Sequence, residues 1–254
     1  MTYPTSRVDP AARRVVEVAK APIGSLGGAW MTTAAEEAAT EAAGMEGWQL
    51  YFLGRHGVLG DVDPDVVTAS AYVFPPAVVR SEWEAARRLM TPQQALDRYL
   101  ALCHEWGREK LSEFGGNERL TELAKRIVAE VDIVGLPLFA GWRAVPLPDD
   151  VPAQTVHMMQ LLREHRGSCH GVALTALGLH PLVAILAGEG GATNAEEYGW
   201  KPPFPAVTDE DQALRGSVER LTDDLVTPPY TALSPSEHTE LLELLDAAFS
   251  HAFG

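Results

Sequence analysis

The densest run of groups able to move protons, grip anions or ligate metals is LLREHRGSCHG, which carries Arg163, Glu164, His165, Arg166, Ser168, Cys169 and His170. Two arginines three residues apart suit a forked clamp on a carboxylate or phosphate, because each guanidinium presents planar, permanently charged donors. His165 or His170 beside them would act as acid or base near neutral pH, with Glu164 as the carboxylate companion. A rival reading gives His157, His165, Cys169 and His170 to haem or a transition metal, since imidazole and thiolate suit such centres. No HExxH, CxxC or zinc-finger spacing accompanies it. In a third reading the arginines simply pair with nearby Asp or Glu and the histidines cap or pack.

LGRHGVLG, residues 53–60, is the other polar cluster, with Arg55 and His56 held between glycines. Arg55, His56, Arg163 and Arg166 are the candidate binding residues, and Tyr72 and Trp142 the candidate aromatic walls. Core packing is the competing role for those aromatics and for Trp30 and Phe74. His104, His238 and His251 lie in amphipathic stretches without polar company and read as surface or core residues. Gly24–Gly28 lacks the lysine of a phosphate loop and reads as close helix packing, and no GxSxG elbow or GxGxxG after a strand is visible.

The elements that must position these groups read as helices. Val151-Pro152 opens one that is expected to stop at Gly167, a C′-type glycine. Within it His157, Leu161 and Glu164 share a face, and His165 lies about 80° further round, which turns both imidazoles toward one site. His170 then arrives from the start of the next helix across a tight Gly-Ser-Cys turn. Asp9-Pro10 opens a helix to about Lys20, and Thr91-Pro92-Gln93-Gln94 and Ser234-Pro235-Ser236-Glu237 are capping boxes opening two more. Asp63-Pro64 and Pro75-Pro76 start short helices. Few segments alternate with period two, so any strands are short wings. Residues 171–188 read as two short buried helices joined at His180-Pro181, and residues 188–207 as coil rich in Gly and Pro.

A faint repeat at an offset of about 112 lays ARRVV, residues 12–16, on AKRIV, residues 124–128, and pairs Leu26 with Leu138 and Trp30 with Trp142. With a one-residue shift Arg55 falls on Arg166. This predicts a duplicated helical protein, residues 1–115 and 116–254, divided at Gly115-Gly116-Asn117, with Arg55 and Arg166 facing one cleft between the copies.

The 254 residues carry 20 Lys and Arg against 35 Asp and Glu, a net charge of −15 that disfavours gripping nucleic acid. From Gly191 onward the acids are expected to form a solvated face. Cys103 and Cys169 stand far apart, which excludes a disulfide scaffold. Neither a secretion signal nor an unbroken membrane-length apolar run is present, so the expected location is the cytoplasm.

GRHGVLGDVDPDVVTASAYVFPPAVV, DIVGLPLFAGWRAVPLPDD and LLREHRGSCHGVALTALGL together resemble the SalK-type helix-turn-helix family of actinobacteria, over most of residues 10–190. The resemblance implies a mainly α, tandem winged-helix-like architecture with short β wings, and a setting in natural-product biosynthesis. It transfers no catalytic residue. The chain departs from the family at Pro22-Ile23-Gly24, where a histidine is usual, and at Ser168-Cys169-His170, where Asp-Gly-His is usual. The leading expectation is a cofactor-free enzyme or binder of a small anionic molecule, such as an acid/base isomerase or cyclase. A ligand-responsive transcriptional regulator is the alternative, and a haem or metal enzyme the second. The likeliest recognition helices, DPDVVTASAYVF and SCHGVALTALGL, carry no Lys or Arg, which favours the small-molecule reading. A homodimer is compatible with this reading.

Overall fold

Proline and small polar caps decide where the helices begin. In the computed structural model, which describes residues 8–254, α1 (Pro10–Gly28) opens on Asp9, whose carboxylate accepts from the backbone N–H groups of Ala11 and Ala12 at 2.8 Å. The following helices are α2 (Ala34–Ala42), α3 (Gln49–Arg55), α4 (Pro64–Ser70), α5 (Pro76–Arg87), α6 (Pro92–Leu111) and α7 (Asn117–Ala129). Then come α8 (Pro137–Arg143), α9 (Val151–Leu177), α10 (Pro181–Leu186), α11 (Gly191–Glu197), α12 (Asp209–Val226) and α13 (Pro235–Phe253). Proline stands in the first turn of α1, α4, α5, α6, α8, α9, α10 and α13, where its missing N–H is no loss. Both capping boxes read from the sequence form, at Thr91–Gln94 and Ser234–Glu237.

The 27-residue α9, about 40 Å long, is the axis of the molecule. Helices α1, α6, α7, α8 and α12 all pack on it. Every residue from Thr155 to Leu162 is buried, so this stretch is covered on all sides rather than along one stripe. Two glycines set the close approaches. A Cβ at Gly27 would sit 2.6 Å from the Met159 carbonyl oxygen, and one at Gly107 would sit 2.7 Å from that of Pro152. One connected core runs from Ala12 on α1 to Ala248 on α13, and the repeat-paired tryptophans, Trp30 and Trp142, both lie near Tyr99. Gly115 and Gly116 lie between α6 and α7.

The protein is mainly helical, and among the described residues there is no strand, so the expected β wings do not form. Short 3-10 turns and coil connect the helices instead, and the prolines of Lys201–Val207 remove the donors a ladder would use. Two helical boundaries also differ from expectation. Helix α1 runs eight residues past Lys20 because its buried stripe, Val16, Ala19, Ile23 and Leu26, continues across Pro22. The carbonyl that Pro22 leaves without an N–H partner belongs to Val18, which is 59% exposed. Helix α9 passes straight through Gly167 and stops ten residues later, where Gly178 takes the left-handed cap at φ 71°. A helical glycine costs about 1 kcal/mol, less than the burial of Leu161 and Leu162 before it and Cys169, Ala173 and Leu174 after it contributes. Residues 191–197, read as coil, form α11. Helix α10, read as buried, has no fully buried residue.

Candidate functional site

The long α9 brings Glu164 against Arg55 at the end of α3, 109 residues away in sequence. Arg55 Nε donates to Glu164 Oε1 and Arg55 Nη2 to Glu164 Oε2, both at 2.8 Å, while Arg55 Nη1 donates to the Tyr51 hydroxyl at 2.9 Å. Gln160 Nε2 donates to the same Oε1 at 2.8 Å. Glu164 is 0% exposed. Burial would raise its pKa, but the charge and hydrogen bonds of Arg55, with Arg163 nearby, hold it below the ordinary carboxylate value. Burial likewise works against the Arg55 charge, and Glu164 and Tyr51 outweigh it, so the guanidinium stays protonated. Both members of this bidentate pair are consumed by each other.

Beside the pair lies a cavity of about 490 Å³ between α1, α9, α12 and the turn from α4 to α5. Trp48, Tyr51, Tyr72, Phe74 and Tyr198 give it aromatic walls, and Lys20, Arg55, Arg163 and Arg166 bring four cations to it. Three of these are neutralised within the protein. Arg55 is held by Glu164; Arg166 donates to Asp223 at 2.6 Å and Glu219 at 2.8 Å; Lys20 reaches Asp223 at 3.1 Å. Arg163 differs. Its one hydrogen bond among the described residues is Nη1 to Glu164 Oε1 at 3.2 Å, on a carboxylate already shared by two other donors. Gly28 makes room for it, since a Cβ there would lie 3.0 Å from Arg163 Nε. The remaining guanidinium donors have no hydrogen-bond partner among the described residues.

His170 also lines this cavity, with Nδ1 3.1 Å from the Thr222 hydroxyl and 3.9 Å from Glu219. Burial lowers its pKa, with Glu219 opposing and Arg166 reinforcing the shift, so a neutral imidazole faces the arginines. It arrives on α9 itself, six residues beyond Glu164, and not from a following helix. The Tyr72 hydroxyl donates to the Gly167 carbonyl at 2.8 Å, closing one wall.

Several expected residues lie elsewhere. Trp142 is fully buried and donates from Nε1 to the Arg55 carbonyl at 3.0 Å, so it supports the ion pair from behind and lines no wall. His56 is buried on Phe52 with Nδ1 against that residue's carbonyl, and burial with the Arg55 charge lowers its pKa to about 3. His157 and His165 do not meet. His157 Nδ1 lies 3.1 Å from His104 Nε2, so His104 has polar company after all. His165 packs on Phe139 and borders a separate recess of about 240 Å³ with Cys169. Burial alone brings His165 to about 4, and burial pushes the Cys169 thiol up to about 12. Among the described residues no three His, Cys, Asp or Glu side chains gather as a metal site, so His157, His165, Cys169 and His170 are not brought together as ligands. Radial spread along a helix buried on all sides is the reason: side chains 80° apart enter different layers of packing.

Lys20, Trp48, Tyr51, Glu197, Tyr198 and Glu219 line the cavity although no motif in the sequence marks them, and Asp223 is the acid that holds two of its cations. The acid-rich last quarter is not wholly solvated, for Asp223 is buried and anchors both Arg166 and Lys20.

A family model described as a helix-turn-helix family matches residues 12–253. The chain belongs to this family. No curated protein and no solved structure matches it. In this helix-turn-helix protein α4 carries Asp65 behind an Asp63 cap, and α9 beyond Arg166 carries no Lys or Arg. No helix of the described residues is long and apolar enough to cross a membrane.

Proposed function

We propose that the protein binds a small, flat, apolar carboxylate in the cavity beside the Arg55–Glu164 pair. The observation that carries this is the partly unpaired Arg163 guanidinium facing aromatic walls, when each other cation of the cavity is matched by a buried or half-buried acid. A volume of about 490 Å³ lies within the range of small-molecule sites. An aromatic acid satisfies both the cation and the walls, whereas a nucleotide phosphate would call for more unpaired donors than Arg163 supplies. The SalK-type resemblance supports a ligand drawn from natural-product metabolism and a tandem arrangement of the two helical halves.

Membership of a helix-turn-helix family supports ligand-responsive regulation as one use of such binding. The acidic α4 and the uncharged end of α9 favour a role in which those two helices do not contact DNA directly. Acid/base turnover of the bound ligand is a second reading, favoured by the neutral His170 imidazole on the same wall as Arg163. His170→Gln would leave binding in place and abolish turnover under that reading.

Calorimetric titration with 2-naphthoate and its neutral amide tests the binding. A charge-assisted hydrogen bond contributes about 1.5–3 kcal/mol, so naphthoate is expected to bind at least about tenfold more tightly than naphthamide. Arg163→Gln is expected to erase that preference. Equal affinity for acid and amide in the unaltered protein would overturn the proposal.

A further inference from the structure

A second cavity of about 400 Å³ adjoins the first, and Arg55, Ser70, Tyr72 and Gly167 line both. Its own walls are small or aliphatic, among them Pro137, Leu138, Val172 and Ala176. The one charge it meets, Arg55, is already held by Glu164 and Tyr51. The junction is bounded by Tyr72, whose ring lies where a Cβ at Gly171 would come within 2.9 Å of it.

Gly167 sits in the middle of α9, where glycine weakens a helix. Packing does not call for it, because a Cβ there would meet nothing within 4 Å. Gly24, inside α1 on the wall of the first cavity, is the same. Gly27, Gly107 and Gly171 differ, each being needed for a close contact. The space above Gly167 is therefore kept open by residue choice, and it lies where the two cavities join.

We infer that the ligand is bipartite: its carboxylate lies at Arg163, its flat body between the aromatic walls, and an unbranched apolar arm passes over Gly167 into the second cavity. This rests on the reading that the first cavity takes an aromatic carboxylate. Tyr72, tied to the Gly167 carbonyl, narrows the junction and favours a chain over a second ring. Together the two spaces approach the upper end of the volumes that small-molecule sites occupy.

The test is calorimetric titration of the full chain with 6-alkoxy-2-naphthoates, from methoxy to hexyloxy. Each methylene seated in the second cavity is expected to tighten binding about fourfold. Ser168→Leu, which fills the second cavity only, is expected to flatten that dependence, and Arg163→Gln to weaken every member of the series. If Ser168→Leu fails to melt cooperatively, Ala176→Phe on the same wall replaces it. Binding of 2-naphthoate with no effect of chain length would overturn the inference and leave the first reading standing. A slope unchanged in the filled variants would also overturn it, since the arm would then lie elsewhere. No binding by any member would remove the first reading and the inference with it.

Discussion

Replacing Glu164 by glutamine keeps the side chain's shape and removes its charge, which makes Glu164→Gln the sharpest probe of how the site is held. The carboxylate takes two bonds from Arg55 at 2.8 Å and one each from Gln160 and Arg163. A glutamine oriented to keep its oxygen toward Gln160 and Arg163 must aim its amide nitrogen at Arg55 Nη2, donor against donor. Arg55 cannot shed its charge, so a buried cation is left without a counter-ion. Breaking one side of a buried pair costs about 3–5 kcal/mol, a large share of a total stability of about 5–15 kcal/mol. For a chain of this length that corresponds to a fall in melting temperature of about 6–10 °C. Arg163→Gln, at a half-exposed position with one long bond, should change stability by less than about 1 kcal/mol. Thermal melts and urea titrations of the two variants measure both. Replacing both charges, as in Arg55→Met with Glu164→Leu, should cost less than the sum of the single changes. A Glu164→Gln protein as stable as the unaltered one would refute the assignment of Arg55 and Glu164 to the scaffold.

Stability should fall between pH 6.5 and about 4. His56 and His157 have folded pKa values near 3 and His165 near 4, against about 6.5 when unfolded, so the unfolded chain binds more protons throughout that window. Each such histidine contributes a slope of about 1.4 kcal/mol per pH unit well below pH 6.5; urea melts at pH 7, 6 and 5 read it, and a flat profile would contradict the burial described. His157→Leu should reduce the slope by one histidine's share. Gly27→Ala should destabilise by about 1–3 kcal/mol, because its methyl meets the Met159 backbone. Gly24→Ala, with open space around it, should stabilise by about 0.5–1 kcal/mol while narrowing the cavity; equal effects at the two glycines would count against the α1–α9 packing.

Helix starts were legible because proline, aspartate, serine and threonine act locally, within three residues of the backbone they cap. The stop expected at Gly167 does not form, for the converse reason: a glycine signal worth about 1 kcal/mol is overruled by burial on both sides, and the partners that bury α9 lie far away in sequence. The polar run from Arg163 to His170 does hold cavity residues, yet its members divide among several environments. Glu164 enters an ion pair, Arg163 and His170 the cavity, Arg166 an acid cluster, and His165 a separate recess. That division depends on Arg55, Asp223 and Phe139, whose positions no spacing rule reveals. Asp223 was hidden in an acidic run whose average character is solvated, although one member is buried under Arg166 and Lys20.

The most direct measurement is a calorimetric titration of 2-naphthoate into the unaltered protein and into Arg163→Gln, with each protein's melting curve recorded alongside. The account predicts binding to the first, a loss of at least about tenfold in the second, and nearly coincident melting curves. Equal affinity in the two proteins would mean that Arg163 is not where the anion is held, and would contradict the account.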